Sequence, residues 1–402
     1  MTALASPDKP HPKGTAGTTD TTPPKPVGVA VGSNPVRLWG MEPGERLRRI
    51  FTRAGLETAP ADRIPADGRP VLLIRADYVM DEPLAKDLVR QPGTIVTDPE
   101  TGRPVAAHVP GNSAPGVAAA VAATLAADQD LPEGIAATFR IGPPAEIASA
   151  YNNQLRKKEV PYLLKLTAET LPAIEKRMFA GSYKGVTDVV TKYVWPTPAR
   201  HVTKACAIIG LSPNFVTTVS ALCVAAAMYL FWIGEFLPGL FFAWMMTFLD
   251  TVDGKLARVT LTSSPWGNVF DHGIDLVHPP FWYWAWIVGL GAVGMPLEQT
   301  ALILAIVIGG YVLQRGQEGL FLALFKIEIH IWRPFDSFFR LITARRNPNL
   351  LLLTGFSLVG RPDLGMVAVA VWTVLSFLVH CVQIVQAFAA RRRGTITSWL
   401  SA

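Results

Sequence analysis

Residues 249–275 read LDTVDGKLARVTLTSSPWGNVFDHGID. The stretch follows the apolar run FLPGLFFAWMMTF and precedes another, PPFWYWAWIVGLGAVG, so four aspartates stand at the mouth of what the hydropathy pattern predicts to be membrane helices. A charged side chain at a bilayer centre costs roughly 2.5–3.5 kcal/mol on insertion scales, and intramembrane carboxylates are normally paired or functional. On an α-helix each residue turns by about 100°, which gathers Asp250, Asp253, Gly254, Ala257 and Arg258 within an arc of roughly 140°. One helix thereby offers two carboxylates, a bare glycine patch and a cation. The next offers Gly267, Asp271 and Asp275 at i, i+4 and i+8, a single drifting stripe with its two carboxylates about 6 Å apart along the axis. Face to face, the two helix ends would make an oxygen-rich cage.

The rest of the chain supports a membrane setting. Of 402 residues, 50% are hydrophobic and 17% charged, mean hydropathy is +0.29, and the apolar residues concentrate after about residue 205. About six apolar spans follow, roughly 214–233, 236–252, 268–291, 300–325, 348–361 and 364–389, the fifth being short. The basic segments KLAR, KIEIHIWRPFDSFFRLITARR and RRR fall on one side of these spans and the Lys/Arg-free connections GEFLPG and GAVGMPLEQT on the other, with Arg361 the exception. Both termini are therefore expected in the cytoplasm. The net charge of +6 is explained by topology and anionic headgroups rather than nucleic acid. Cys206, Cys223 and Cys381 have no paired spacing, so neither a disulfide framework nor a zinc site is expected.

Ahead of the spans, residues 1–34 are rich in Pro, Thr and Lys without an apolar signal region, and are expected to be a disordered tail. Residues 35–145 alternate helical and strand-like runs (GERLRRIFTRAGLE, RPVLLIRADYVMD, GTIVTDPETGRPVAAHV), predicting a soluble α/β domain. Residues 146–212 are expected to be an amphipathic, mainly helical connector against the membrane, 213–390 an all-α polytopic domain, and 391–402 a basic tail.

Divalent cations such as Mg²⁺ take oxygen ligands and commonly share them with substrate phosphates. Two of them bridged by carboxylates can stabilise the attacking and leaving oxygens of a phosphoryl displacement. Glycines at 254 and 267 leave room for a nucleotide, and Arg258 could neutralise a diphosphate.

The spacing resembles the signature of the CDP-alcohol phosphotransferase family, D-x2-D-G-x2-A-R-x8-G-x3-D-x3-D, complete here as Asp250, Asp253, Gly254, Ala257, Arg258, Gly267, Asp271 and Asp275. The resemblance covers about residues 183–390. It implies attack of an acceptor hydroxyl, on a lipid or a phosphorylated alcohol, on the β-phosphorus of a CDP-alcohol, with release of CMP, in phospholipid biosynthesis at the cytoplasmic membrane. It further implies two Mg²⁺ (or Mn²⁺) ions held by Asp250, Asp253 and Asp271, Asp275 as the base that also touches metal, and a homodimer. Gly254, Arg258 and Ser264 would line the cytidine diphosphate site with Gly267. The family's Pro-Asn-x-x-Thr stretch is matched by SPNFVT, which brings in Asn214 and Thr217.

The 35–145 domain resembles a degenerate sugar nucleotidyltransferase: Asp77 takes the place of a metal-binding acid, but the glycine-rich, Arg-ending phosphate loop is missing ahead of Pro43. A bifunctional cytidylyltransferase plus phosphotransferase is the alternative. A cation transporter is disfavoured because the acids cluster at one membrane face, not at the midplane. His272 and His278 lie off the aspartate stripe and are expected to take packing or interfacial roles rather than to ligate metal, and Arg315 to pair with Glu318. Arg315, with Lys326, Arg333 and Arg340, is also a candidate for an acceptor phosphate or headgroup.

Overall fold

The computed structural model describes residues 25–148, 151–152 and 155–401. The soluble part runs β1 (Val27–Val31), α1 (Pro43–Arg53), β2 (Glu57–Ala59), β3 (Val71–Arg75), β4 (Tyr78–Met80), α2 (Glu82–Val89), β5 (Thr94–Thr97), β6 (Pro104–Val109), α3 (Val117–Ala126), α4 (Glu133–Ala136), β7 (Arg140–Gly142) and α5 (Pro144–Ile147). Six strands form one mixed sheet in the order β2-β1-β3-β6-β5-β7. β1 is parallel to β2 and β3, whereas β6 is antiparallel to β3 and β5.

Side-chain alternation splits the core between the two sheet faces. Leu72 and Ile74 of β3 pack with Leu47, Ile50 and Phe51 of α1. Val71 and Leu73 pack on the other face with Val121 and Leu125 of α3. Gly28 is required in β1 because a Cβ there would lie 2.3 Å from the Phe51 ring.

The expected boundaries move. β1 lies inside the segment expected to be a tail, because VGVAV pairs with residues 30 and 44 positions downstream and buries three valines. The expected helical connector contains β8 (Tyr151–Asn152), β9 (Lys157–Lys158) and β10 (Leu163–Lys165) before α6 (Leu171–Gly181), a π-helical turn (Val190–Val194) and α7 (Pro196–Ile209). β10 pairs with β4, so the soluble domain reaches at least Lys165.

The helical region is α8 (Pro213–Trp232), α9 (Phe236–Val259), α10 (Pro265–Ala292), α11 (Thr300–Leu304) running through a π-turn into α12 (Gly310–Phe325), α13 (Pro334–Phe339), α14 (Arg346–Leu358) and α15 (Pro362–Arg391). Helices thus stand at all six expected positions. Three of them, Pro213–Trp232, Thr300–Phe325 and Pro362–Arg391, are long and apolar enough to cross a membrane. α9 and α10 carry the aspartates, and α14, with 13 residues, extends only about 20 Å against a hydrocarbon core of about 30 Å. The chain is an integral membrane protein with at least these three candidate spans.

Local chemistry fixes the two aspartate helices. Ser264 caps α10 by accepting the Gly267 amide at 3.0 Å, and Ser212 caps α8 by accepting that of Phe215 at 3.1 Å. Pro280 lies inside α10 and lacks the N–H that would bond the Leu276 carbonyl. The Tyr311 hydroxyl of α12 donates to that carbonyl instead, at 2.9 Å, so α10 is tied to α12 one residue from Asp275.

Candidate active site

α9 and α10 meet so that one carboxylate oxygen each of Asp250, Asp271 and Asp275 lie within 4.8 Å of one another. These three residues line a cavity of about 570 Å³ together with Gly254 and Arg258. Asp253 stands behind them, 3% exposed. Its Oδ2 accepts from the Thr217 hydroxyl at 2.6 Å, and its Oδ1 is buried with no hydrogen-bond partner.

Asn214, Ser264 and Gly267 form a neighbouring cluster at the starts of α8 and α10. A Cβ on Gly267 would lie 2.9 Å from Asn214 Oδ1 and 3.0 Å from Ser264 Oγ. Among the ten expected site residues, Asn214, Thr217, Asp253, Ser264 and Gly267 do not line the cavity. Thr217 holds Asp253, and Ser264 caps α10.

The sequence reading did not select Arg346. Its guanidinium, at the start of α14, donates to Asp250 Oδ2 at 2.6 Å and also to Asp275. Arg346 lies 71 residues beyond Asp275 beside Arg345 and reads locally as one more topogenic charge. Only the packing of α14 on α9 reveals its partners. A second unselected residue, Asp188, is buried beside the cavity. It accepts from the backbone N–H groups of Val190 and Thr191 and from Asn347 Nδ2 at 2.9 Å, fixing the residue next to Arg346. Burial would push the Asp188 carboxyl up, but Arg340 and these donors hold it below the usual carboxylate value. Arg340 itself is pulled down to about 9 by burial and by Arg345, and burial with Arg156 and Arg258 nearby lowers Lys184.

His278 bonds the Ile274 carbonyl and packs on Trp282 as expected, whereas His272 bonds the Asn268 carbonyl but is exposed and lines the cavity, 3.7 Å from Asp271. Arg315 pairs with Glu318 at 3.1 Å, and Glu318 also receives Arg345 and His330. Lys255 sits 3.7 Å from the centre of the Tyr183 ring, and no aspartate of the set pairs with it.

The all-oxygen set of Asp250, Asp271 and Asp275 and the orphaned buried Oδ1 of Asp253 fit a divalent cation, and the Arg346 guanidinium drawn between two of these carboxylates shows that positive charge is favoured there. Residues 210–334 match the family model for CDP-alcohol phosphatidyltransferase. They form a CDP-alcohol phosphatidyltransferase domain.

Two curated proteins are similar to parts of the chain. Cholinephosphotransferase 1 of Xenopus laevis is 28% identical over 120 residues, 28% of this chain and 29% of that protein. Archaetidylinositol phosphate synthase of Pyrococcus horikoshii is 35% identical over 79 residues, 19% of this chain and 42% of that protein. The chain thus spans less than half the length of either relative. The soluble domain lies outside the family match. Its Asp77 is bound to Arg75 at 2.7 Å.

Proposed function

We propose that the protein transfers a substituted phosphoryl group from a CDP-alcohol to an acceptor hydroxyl, releasing CMP, in phospholipid synthesis. The observation that carries this reading is the convergence of Asp250, Asp271 and Asp275 from two helices onto one cavity that also holds Arg258.

In the proposed reaction the acceptor oxygen bonds to the β-phosphorus as the bond from that phosphorus to the oxygen of CMP breaks. The acceptor's proton passes to a carboxylate, which we assign to Asp275, the most exposed of the ion-paired acids of the site at 38%. Asp250, Asp253, Asp271 and Asp275 would hold two divalent ions, Mg²⁺ or Mn²⁺. Such ions neutralise charge on the transferring phosphoryl group. Thr217 keeps Asp253 oriented, Arg258 takes the donor diphosphate, and the Asn214–Gly267–Ser264 cluster with Gly254 shapes the nucleotide side.

Arg315, Arg340 and Arg345 line the same cavity and suit an acceptor that carries a phosphate or headgroup. The lysine and arginine distribution favours a cytoplasmic-facing site in the cytoplasmic membrane, with both termini on that side. We further propose a homodimer, which light scattering in detergent would check.

The deciding experiment incubates the purified protein with CDP-diacylglycerol or soluble CDP-alcohols against a panel of acceptors, and measures CMP. Acceptor-dependent CMP release is expected. Its absence with every donor would reject the reading. Because Asp77 is committed to Arg75, the bifunctional alternative gains no support.

A further inference from the structure

α9 presents two faces. Asp250, Gly254, Ala257 and Arg258 line the cavity, whereas Val252, Leu256 and Val259, at i, i+4 and i+7, share a buried cluster with Leu38, Trp39, Val79 and Tyr162 of the soluble region. Where α9 ends, the contact becomes polar. Arg46 Nη1 donates to the Val259 carbonyl at 2.8 Å and Arg49 Nη1 to that of Thr260 at 2.8 Å, both from α1. The next residue, Leu261, has φ +56° and buries its side chain in the soluble-domain core with Leu47, Ile50 and Phe51. Three successive residues at the helix end are thus gripped by a domain more than 200 residues upstream.

We infer that the soluble domain is a clamp on the aspartate-bearing hairpin, with Arg46 and Arg49 as positioning residues that fix how α9 hands over to α10. The last carbonyls of a helix have no intrahelical donor, and buried ones need a partner from elsewhere. Arg46, 7% exposed, supplies it here, with a cation where the helix dipole favours one. Only five residues separate Val259 from α10, and the last of these, Ser264, caps that helix. The grip at 259–261 therefore sets the placement of Asp271 and Asp275 against Asp250 and Asp253. Glu45 holds Arg49 in place at 2.9 Å. This inference rests on the transfer reaction proposed above for its kinetic consequence, but not for the clamp itself.

The test uses the full-length protein in lipid nanodiscs and the variants Arg46→Gln, Arg49→Gln and Arg46→Lys. Amide hydrogen exchange over residues 259–264, kcat for CMP release, the Mg²⁺ concentration for half-maximal rate and the melting temperature are measured on each. Arg46→Gln should exchange faster in this segment, lose about tenfold in kcat and need several-fold more Mg²⁺, as expected when liganding groups lose their mutual placement. Arg49→Gln should show the same pattern more weakly, and Arg46→Lys should recover part of it. A merely structural role would lower the melting temperature and leave kcat and the Mg²⁺ requirement of the folded protein unchanged, and that result would overturn the inference. Should Arg46→Gln not fold, Arg49→Gln, whose side chain is one-third exposed, decides by the same readouts. If wild type releases no CMP, the transfer reading fails and exchange alone judges the clamp: unchanged exchange in Arg49→Gln would overturn it.

Discussion

The protein holds two groups of acids, in opposite states. In the soluble domain, Asp77 and Asp128 share the buried Arg75, and Asp98 accepts from the Tyr78 hydroxyl at 2.7 Å. Each acid there has a partner from its own fold. Between α9 and α10, three carboxylates converge on a cavity around one guanidinium borrowed from α14, and a fourth keeps an oxygen with no partner at all. Acids that their own domain neutralises are part of its structure. Acids left short of positive charge at an open cavity are ready for a ligand that brings it.

The comparison breaks most readily on metal removal. Exhaustive chelation should abolish CMP release and leave the melting of the soluble domain unchanged, with Mg²⁺ or Mn²⁺ restoring activity. Undiminished turnover without metal would mean that the α9–α10 acids are as self-sufficient as those around Arg75. Next in size, Asp275→Asn should lower turnover by about 10³-fold while CDP-alcohol binding persists, since an amide keeps the shape but accepts no proton. A rate within tenfold of wild type would remove Asp275 from the role of base. The matched change in the soluble domain, Asp77→Asn, should leave the rate within twofold and cost about 1–2 kcal/mol in stability, because Arg75 keeps Asp128 as a partner. Pyrophosphate release from CTP by wild type but not by Asp77→Asn would revive the bifunctional alternative.

A smaller effect is expected from Gly267→Ala. The added Cβ would press on Asn214 Oδ1 and Ser264 Oγ, shifting both side chains from their present positions. About tenfold loss in kcat/KM is expected from a shift of that kind. Unchanged kinetics would show that the Asn214 cluster has no part in placing the donor.

How much of this was legible in sequence follows the range of each interaction. The aspartate spacing lies within 26 residues, and helical geometry alone brings its members to one face. The helix positions were legible for the same reason, since hydropathy is local. Arg346 and Asp188 were not, because each acquires its meaning from a partner 71 or more residues away. β1 and β10 were misplaced for a related reason: the five residues VGVAV after a Pro-rich segment, and LLK in a basic connector, become strands only through pairing with distant partners. The grip of α1 on α9 was equally hidden, since GERLRRIF reads as an ordinary amphipathic helix until Val259 and Thr260 are placed beside its arginines.

The smallest effect tests whether the soluble domain's acids are all as settled as Asp77. Asp81 caps α2 by accepting the Leu84 amide at 3.2 Å, yet burial pushes its carboxyl up to about 7. An unfolded aspartate titrates near 3.9, so between about pH 4 and pH 7 the folded domain binds a proton that the unfolded chain releases. The sign is then fixed: this contribution to stability is fully present below about pH 4 and is lost as the pH rises through about 7. Asp81→Asn keeps a cap oxygen and removes the titration. Measured by thermal melting of the soluble-domain transition from pH 5 to pH 8, the variant should lose the decline that wild type shows between pH 5 and about pH 7. Equal slopes in the two proteins would show that Asp81 does not titrate in this range.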